Sequence, residues 1–82
     1  MKKIKNVSNK DIVNSLLESV LYNENAIDYI KNQITISENI LGYKPEDTEV
    51  QENLKIQKFI KFQLEFISDC YEKSLKKFGV NL

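Results

Sequence analysis

Apolar residues in the first half of the chain return at a fixed interval. Val13, Val20, Ile27, Ile34 and Leu41 are seven apart, Leu16 and Ile30 occupy the intervening step, and Asn23 and Ser37 are the two polar residues on the same stripe. Alternating steps of three and four put all nine on one side of an α-helix. A stripe of this kind, held for about four heptads, is a seam for another helix. The start is marked by Ser8 as a cap with Asp11 three residues on, and by Val7 and Ile12, placed to form a hydrophobic staple across it. Asn23-Glu24-Asn25 looks locally like a break. The seam keeps its phase across it, which favours one continuous helix over about residues 8–41; a kink near Asn23 gives three helices instead of two.

Gly42 then offers a left-handed cap, and Pro45 stops one helix and restarts the next. The second helix is expected over about 48–78, with Thr48 and Gln51 as a capping box and Glu46, Asp47, Glu49 and Glu52 around its positive dipole end. Its main apolar face reads as Ile60, Leu64, Ile67, Tyr71, Leu75 and Phe78. Asp69 with Lys73, and Glu72 with Lys76, form i,i+4 pairs. Gly79 closes the helix, with Leu75 and Val80 placed for a Schellman motif. β-branched residues are frequent but fall at helical spacing, so no strand is predicted. The fold class is therefore all-α: one domain over 1–82, an antiparallel two-helix hairpin with a turn at 42–47, assembling into a helical bundle.

Bundle assembly is expected because each helix carries more apolar surface than one seam can cover. Tyr22, Ala26, Tyr29, Gln33, Ile36 and Ile40 form a second stripe on helix 1, read as lying nearly opposite the first. On helix 2, Phe59, Phe62 and Phe66 sit off the Ile60-Leu64-Ile67 line. Burying one Phe or Ile side chain is worth roughly 1.5–3 kcal/mol, and a hairpin of this size is short of core on its own. Tyr22, Tyr29, Ile36, Ile40, Phe59, Phe62 and Phe66 are accordingly the candidate interface, either with a second copy in a homodimer or with a different protein. Asn23 within the seam either sets register, as a buried Asn does in coiled coils, or faces a wet gap.

Composition narrows the chemistry. All twelve cations are Lys, balanced by twelve acids, and the chain has no Arg, His or Trp and a single Cys. Missing His excludes His-based acid/base catalysis, and a lone thiol excludes an internal disulfide. No phosphate-binding loop, dinucleotide fingerprint or zinc framework occurs, so no cofactor, no metal and no enzymatic activity are expected. Glu24/Asp28 and Glu65/Asp69 are i,i+4 carboxylate pairs, read as solvated surface. Cys70 is read as a small core residue. An abundance of Lys, Ile and Asn with almost no Arg or Ala suggests an AT-rich bacterial or phage genome. The Lys-rich start lacks an apolar run behind it and nothing approaches the ~20 apolar residues of a membrane span, so the expected location is cytoplasmic, with no membrane span.

Charge is unevenly placed. Lys2, Lys3, Lys5 and Lys10 start the chain and Lys73, Lys76 and Lys77 end helix 2, so an antiparallel hairpin gathers them at one end as a possible polyanion site. Acids crowd the turn. The hairpin is similar in topology to three families: the WXG-type secreted hairpins, the sporulation-phosphatase hairpins and the ROP-like RNA-binding hairpins. Ile40-Leu41-Gly42 lacks the Trp of the first, and Ile56-Gln57-Lys58-Phe59-Ile60 lacks the acid of the second. The likeness covers topology alone, and no residue role follows from it. The expected function is a non-catalytic interaction module, a small regulator or inhibitor of the phage or mobile-element kind, bound stoichiometrically to a protein partner. The alternatives are a dimeric nucleic-acid binder using the Lys-rich end and an immunity or secretion-related hairpin.

Overall fold

The computed structural model describes residues 8–80. Two helices account for nearly all of them: α1, Asn9–Tyr43, and α2, Thr48–Lys77. They pack along their lengths as an antiparallel hairpin. Val7, Lys2, Lys3 and Lys5 lie outside the described residues, so the expected staple and the N-terminal part of the Lys cluster are not placed.

α1 runs unbroken through Asn23-Glu24-Asn25. Its seam forms as the heptads predict: Val20, Asn23, Ile27, Ile30 and Ser37 are buried, with Val13, Leu16, Ile34 and Leu41 half-buried along the same line. Continuity wins because a break would strand both halves of this stripe, and tertiary burial outweighs the modest helix propensity of two Asn residues. The start is capped as expected, with the Ser8 hydroxyl accepting from the Asp11 backbone N–H at 3.2 Å.

The turn differs from expectation in two ways. Gly42 does not provide a left-handed cap; it is still helical, and among the described residues the one glycine with positive φ is Gly79. The chain reverses instead through a β-turn, with the Asp47 N–H donating to the Lys44 carbonyl at 3.1 Å and Pro45 in the second position, where its fixed φ belongs. The N-cap of α2 is Asp47, not Thr48: its carboxylate accepts from the Val50 N–H at 3.1 Å. Gln51 does not complete a capping box but donates its side-chain amide to the Pro45 carbonyl.

α2 ends as the sequence predicts. Val80 N–H donates to the Leu75 carbonyl at 3.1 Å and Gly79 N–H to Lys76 at 3.0 Å, with Gly79 at φ +81°. This is a Schellman motif, and Leu75 at its base is fully buried.

The inner face of α2 is the main correction. Of the expected Ile60-Leu64-Ile67-Tyr71-Leu75-Phe78 face, Leu64, Tyr71 and Leu75 turn inward and the other three do not. The residues turned toward α1 are Val50, Leu54, Gln57, Lys61, Leu64, Ser68, Tyr71 and Leu75, spaced four and three apart. Ile60, Ile67 and Phe78 are exposed. Three of the eight seam positions are polar, which is why hydrophobicity alone points to the neighbouring stripe. The polar residues of α1 explain the choice. Asn23 and Ser37 meet Ser68 and Gln57, so the polar seam positions pair with one another, and among the described residues no buried side-chain nitrogen or oxygen lacks a partner.

Candidate interaction surface

With both seams fixed, helical geometry sorts the other positions into two broad faces and two outer edges. An ion pair between the helices, Glu38 Oε2 to Lys58 Nζ at 3.8 Å, spans one of the broad faces. At the same bearings as this pair lie Glu24, Asp28, Lys31, Lys55, Glu65, Asp69, Glu72 and Lys76, which make that face highly charged, with Leu17, Leu21 and Phe62 as its apolar members. Both candidate carboxylate pairs lie on it, exposed. Among the described residues no group of three or more His, Cys, Asp or Glu is arranged to hold a metal ion.

The opposite broad face is almost free of charge. α1 contributes Ser15, Ser19, Tyr22, Ala26, Tyr29, Gln33, Ile36, Ile40 and Tyr43; α2 contributes Glu49, Asn53, Ile56, Ile60, Gln63, Ile67, Cys70, Ser74 and Lys77. Glu49 and Lys77, at opposite ends, are the ionised side chains among them. The second stripe of α1 therefore lies to the side of the seam, about a quarter turn away, and not opposite it. The difference matters. A stripe on the back would be an isolated ridge, whereas this one joins the Ile56-Ile60-Ile67 flank of α2 in a continuous surface. Tyr22 is 78% exposed, and Tyr29, Ile36 and Ile56 are each more than half exposed. Cys70 is on this surface and exposed, which corrects its reading as a core residue; the seam passes through Ser68 and Tyr71 and leaves position 70 on the flank.

Phe59, Phe62 and Phe66 form a separate site. Phe59 and Phe66 lie on the outer edge of α2 and Phe62 beside them where that edge meets the charged face; each is turned away from α1 and 60% exposed or more. An ion pair frames each end: Lys55 with Glu52 at 3.4 Å before Phe59, and Lys73 with Asp69 at 3.0 Å after Phe66. Asp69 raises the pKa of the Lys73 ammonium, first by hydrogen bonding and then by its charge; both groups are solvent-exposed, so the pair orients side chains more than it stabilises the fold. Glu72 and Lys76, the other expected pair, do not form a bridge. Phe62, Gln63, Phe66 and Ile67 help to line a shallow hollow beside the aromatic edge. The seven candidate interface residues fall into two groups, a broad face (Tyr22, Tyr29, Ile36, Ile40) and an edge (Phe59, Phe62, Phe66). Sequence spacing missed Ile60 and Ile67 as exposed face residues, because both were assigned to the seam.

Acids crowd the turn, with Glu46, Asp47, Glu49 and Glu52, whereas at the terminal end Lys10, Lys73, Lys76 and Lys77 stand among Asp11, Asp69 and Glu72, so the described residues there are nearly balanced in charge. Among the described residues no helix is long and apolar enough to cross a membrane. No known family model, curated protein or solved structure matches the chain.

Proposed function

We propose that the chain is a non-catalytic protein-interaction module, a small regulator or inhibitor that works by stoichiometric occupation of a partner's surface. The observation that carries this is the edge Phe59-Phe62-Phe66. Three aromatic side chains, three and four residues apart, project from a helix that has its seam elsewhere, and charged pairs frame them. An apolar centre within a polar rim is the anatomy of an interface hot spot, where aromatic anchors supply most of the binding energy. The fit is with a hydrophobic groove on a partner that takes a helix side-on.

The test is binding of cellular proteins to immobilised wild-type chain and to the double variant Phe59→Glu, Phe62→Glu, with helicity checked by circular dichroism. A protein held by the wild type and released by the variant supports the reading. Equal capture by both chains, with helicity intact, removes it.

A second reading has its own observation: four described Lys residues share the terminal end. A nucleic-acid ligand there would be held by phosphate contacts, since without Arg the bidentate recognition of guanine is missing. Titration with duplex DNA or RNA at two salt concentrations separates the readings. Affinity that falls steeply with salt favours the nucleic acid.

A further inference from the structure

The nearly uncharged broad face is separate from the aromatic edge and raises a different question: what covers it. We propose that it is covered by a second copy of this chain, stacked face to face about a two-fold axis that places the turn of one copy over the terminal end of the other, giving an antiparallel four-helix bundle.

Side-chain size and charge support this independently. Face-to-face burial on a two-fold axis is also the commonest way for a homodimer to close without leaving an apolar surface open.

Side-chain size then selects the orientation. The half of the face nearest the turn is bulky, with Ile36, Ile40, Tyr43, Ile56 and Ile60; the half nearest the termini has Tyr22 and Ile67 but is otherwise small, with Ser15, Ser19, Cys70 and Ser74. Laying turn over termini sets bulky residues against small ones at both ends. The parallel arrangement sets bulky on bulky at one end and leaves space at the other, which packing at protein density disfavours. Charge agrees. The face carries one ionised side chain at each end, Glu49 by the turn and Lys77 by the termini, and the antiparallel stack sets Glu49 of each copy over Lys77 of its partner. The parallel stack would put like charges together at both ends.

Two measurements on the full chain test the proposal. Light scattering or sedimentation equilibrium at micromolar to submillimolar concentration is expected to give twice the chain mass, and the variant Ile36→Glu, exposed and away from the seam, to give the chain mass with helicity retained. For orientation, a spin label on Lys44→Cys in a Cys70→Ser background reports the separation of the two turns. Turns at opposite ends lie about 40 Å or more apart, close to the length of α2 at 1.5 Å per residue; turns at the same end lie within roughly 25 Å. A monomeric wild type, or a dimer that Ile36→Glu leaves intact, overturns the interface. A short distance overturns the orientation. Phe59→Glu with Phe62→Glu is expected to leave the dimer in place, so failure here and failure of the partner-binding reading are told apart.

Discussion

Asn23 of α1 donates both protons of its side-chain amide to α2, one to the Leu64 carbonyl at 2.6 Å and one to the Ser68 hydroxyl at 2.5 Å. At 9% exposure this is a polar link between two helices inside their seam. Its value lies in selection more than in strength. A hydrogen bond contributes only about 1 kcal/mol net, but leaving buried donors unpaired costs about 1–3 kcal/mol, so a register that separates Asn23 from Ser68 is penalised. Asn23→Ala is expected to lower stability by about 1–2 kcal/mol, read from the urea midpoint at fixed protein concentration. Asn23→Leu with Ser68→Ala replaces the pair by apolar contact and is expected to recover that loss while broadening the amide NMR spectrum, as registers become less distinct. A single sharp set of peaks in the double variant would show that register is held elsewhere.

Lys61 is the one charged residue of the α2 seam. It lies half-buried between Gln57 and Leu64 on the inner face of α2, a position where a Lys buries its stem and keeps its ammonium in water. Lys61→Met keeps the stem length and removes the charge. The expectation is a gain of about 1 kcal/mol, seen as a higher urea midpoint with an unchanged slope. A loss of stability would show that the ammonium has a partner worth more than the apolar contact that replaces it.

α1 was legible in the sequence because its seam is seven-ninths apolar and repeats without a slip. α2 was legible as a helix but not in its orientation. Its seam includes Gln57, Lys61 and Ser68, which a hydrophobicity count discards, while Ile60 and Ile67 advertise a core position they do not hold. Those polar positions become intelligible only beside Asn23 and Ser37, that is, once the two helices are paired. The broad apolar face was hidden for the same reason: with Ile60 and Ile67 assigned inward, the remaining stripe of α1 had nothing to join. The aromatic edge was visible, because three Phe residues at steps of three and four lie outside either candidate seam.

The two glycines offer opposite expectations. Gly79 sits at φ +81°, a conformation that costs an L-residue roughly 1 kcal/mol, and it closes the Schellman motif over Leu75. Gly79→Ala is therefore expected to destabilise by about 1 kcal/mol. Gly42 is inside the last turn of α1, with nothing within 4 Å of an added Cβ. Gly42→Ala is expected to stabilise by about 0.5–1 kcal/mol through helix propensity. Thermal melts of both variants check the pair. Equal destabilisation would mean that position 42 is a left-handed cap after all.

Asp47 and Thr48 divide the capping of α2 in a way that can be measured directly. Asp47 uses its carboxylate to hold the Val50 N–H, and it also closes the β-turn through its own N–H. Thr48 makes no hydrogen bond through its hydroxyl in this turn. Removing an N-cap costs about 0.5–2 kcal/mol, and the negative charge at this end adds a share from the helix dipole. Asp47→Ala is therefore expected to cost about 1–2 kcal/mol, and Thr48→Ala to change stability by less than about 0.5 kcal/mol. Asp47→Asn keeps the acceptor and removes the charge, so it should fall between them. The order in chemical denaturation at neutral pH is expected to be wild type close to Thr48→Ala, then Asp47→Asn, then Asp47→Ala. Because the acidic turn is also the end proposed to meet Lys77 of a second copy, Asp47→Asn is expected to weaken dimerisation slightly at low salt and not at high salt. A salt-independent effect would confine the role of this carboxylate to the helix it caps.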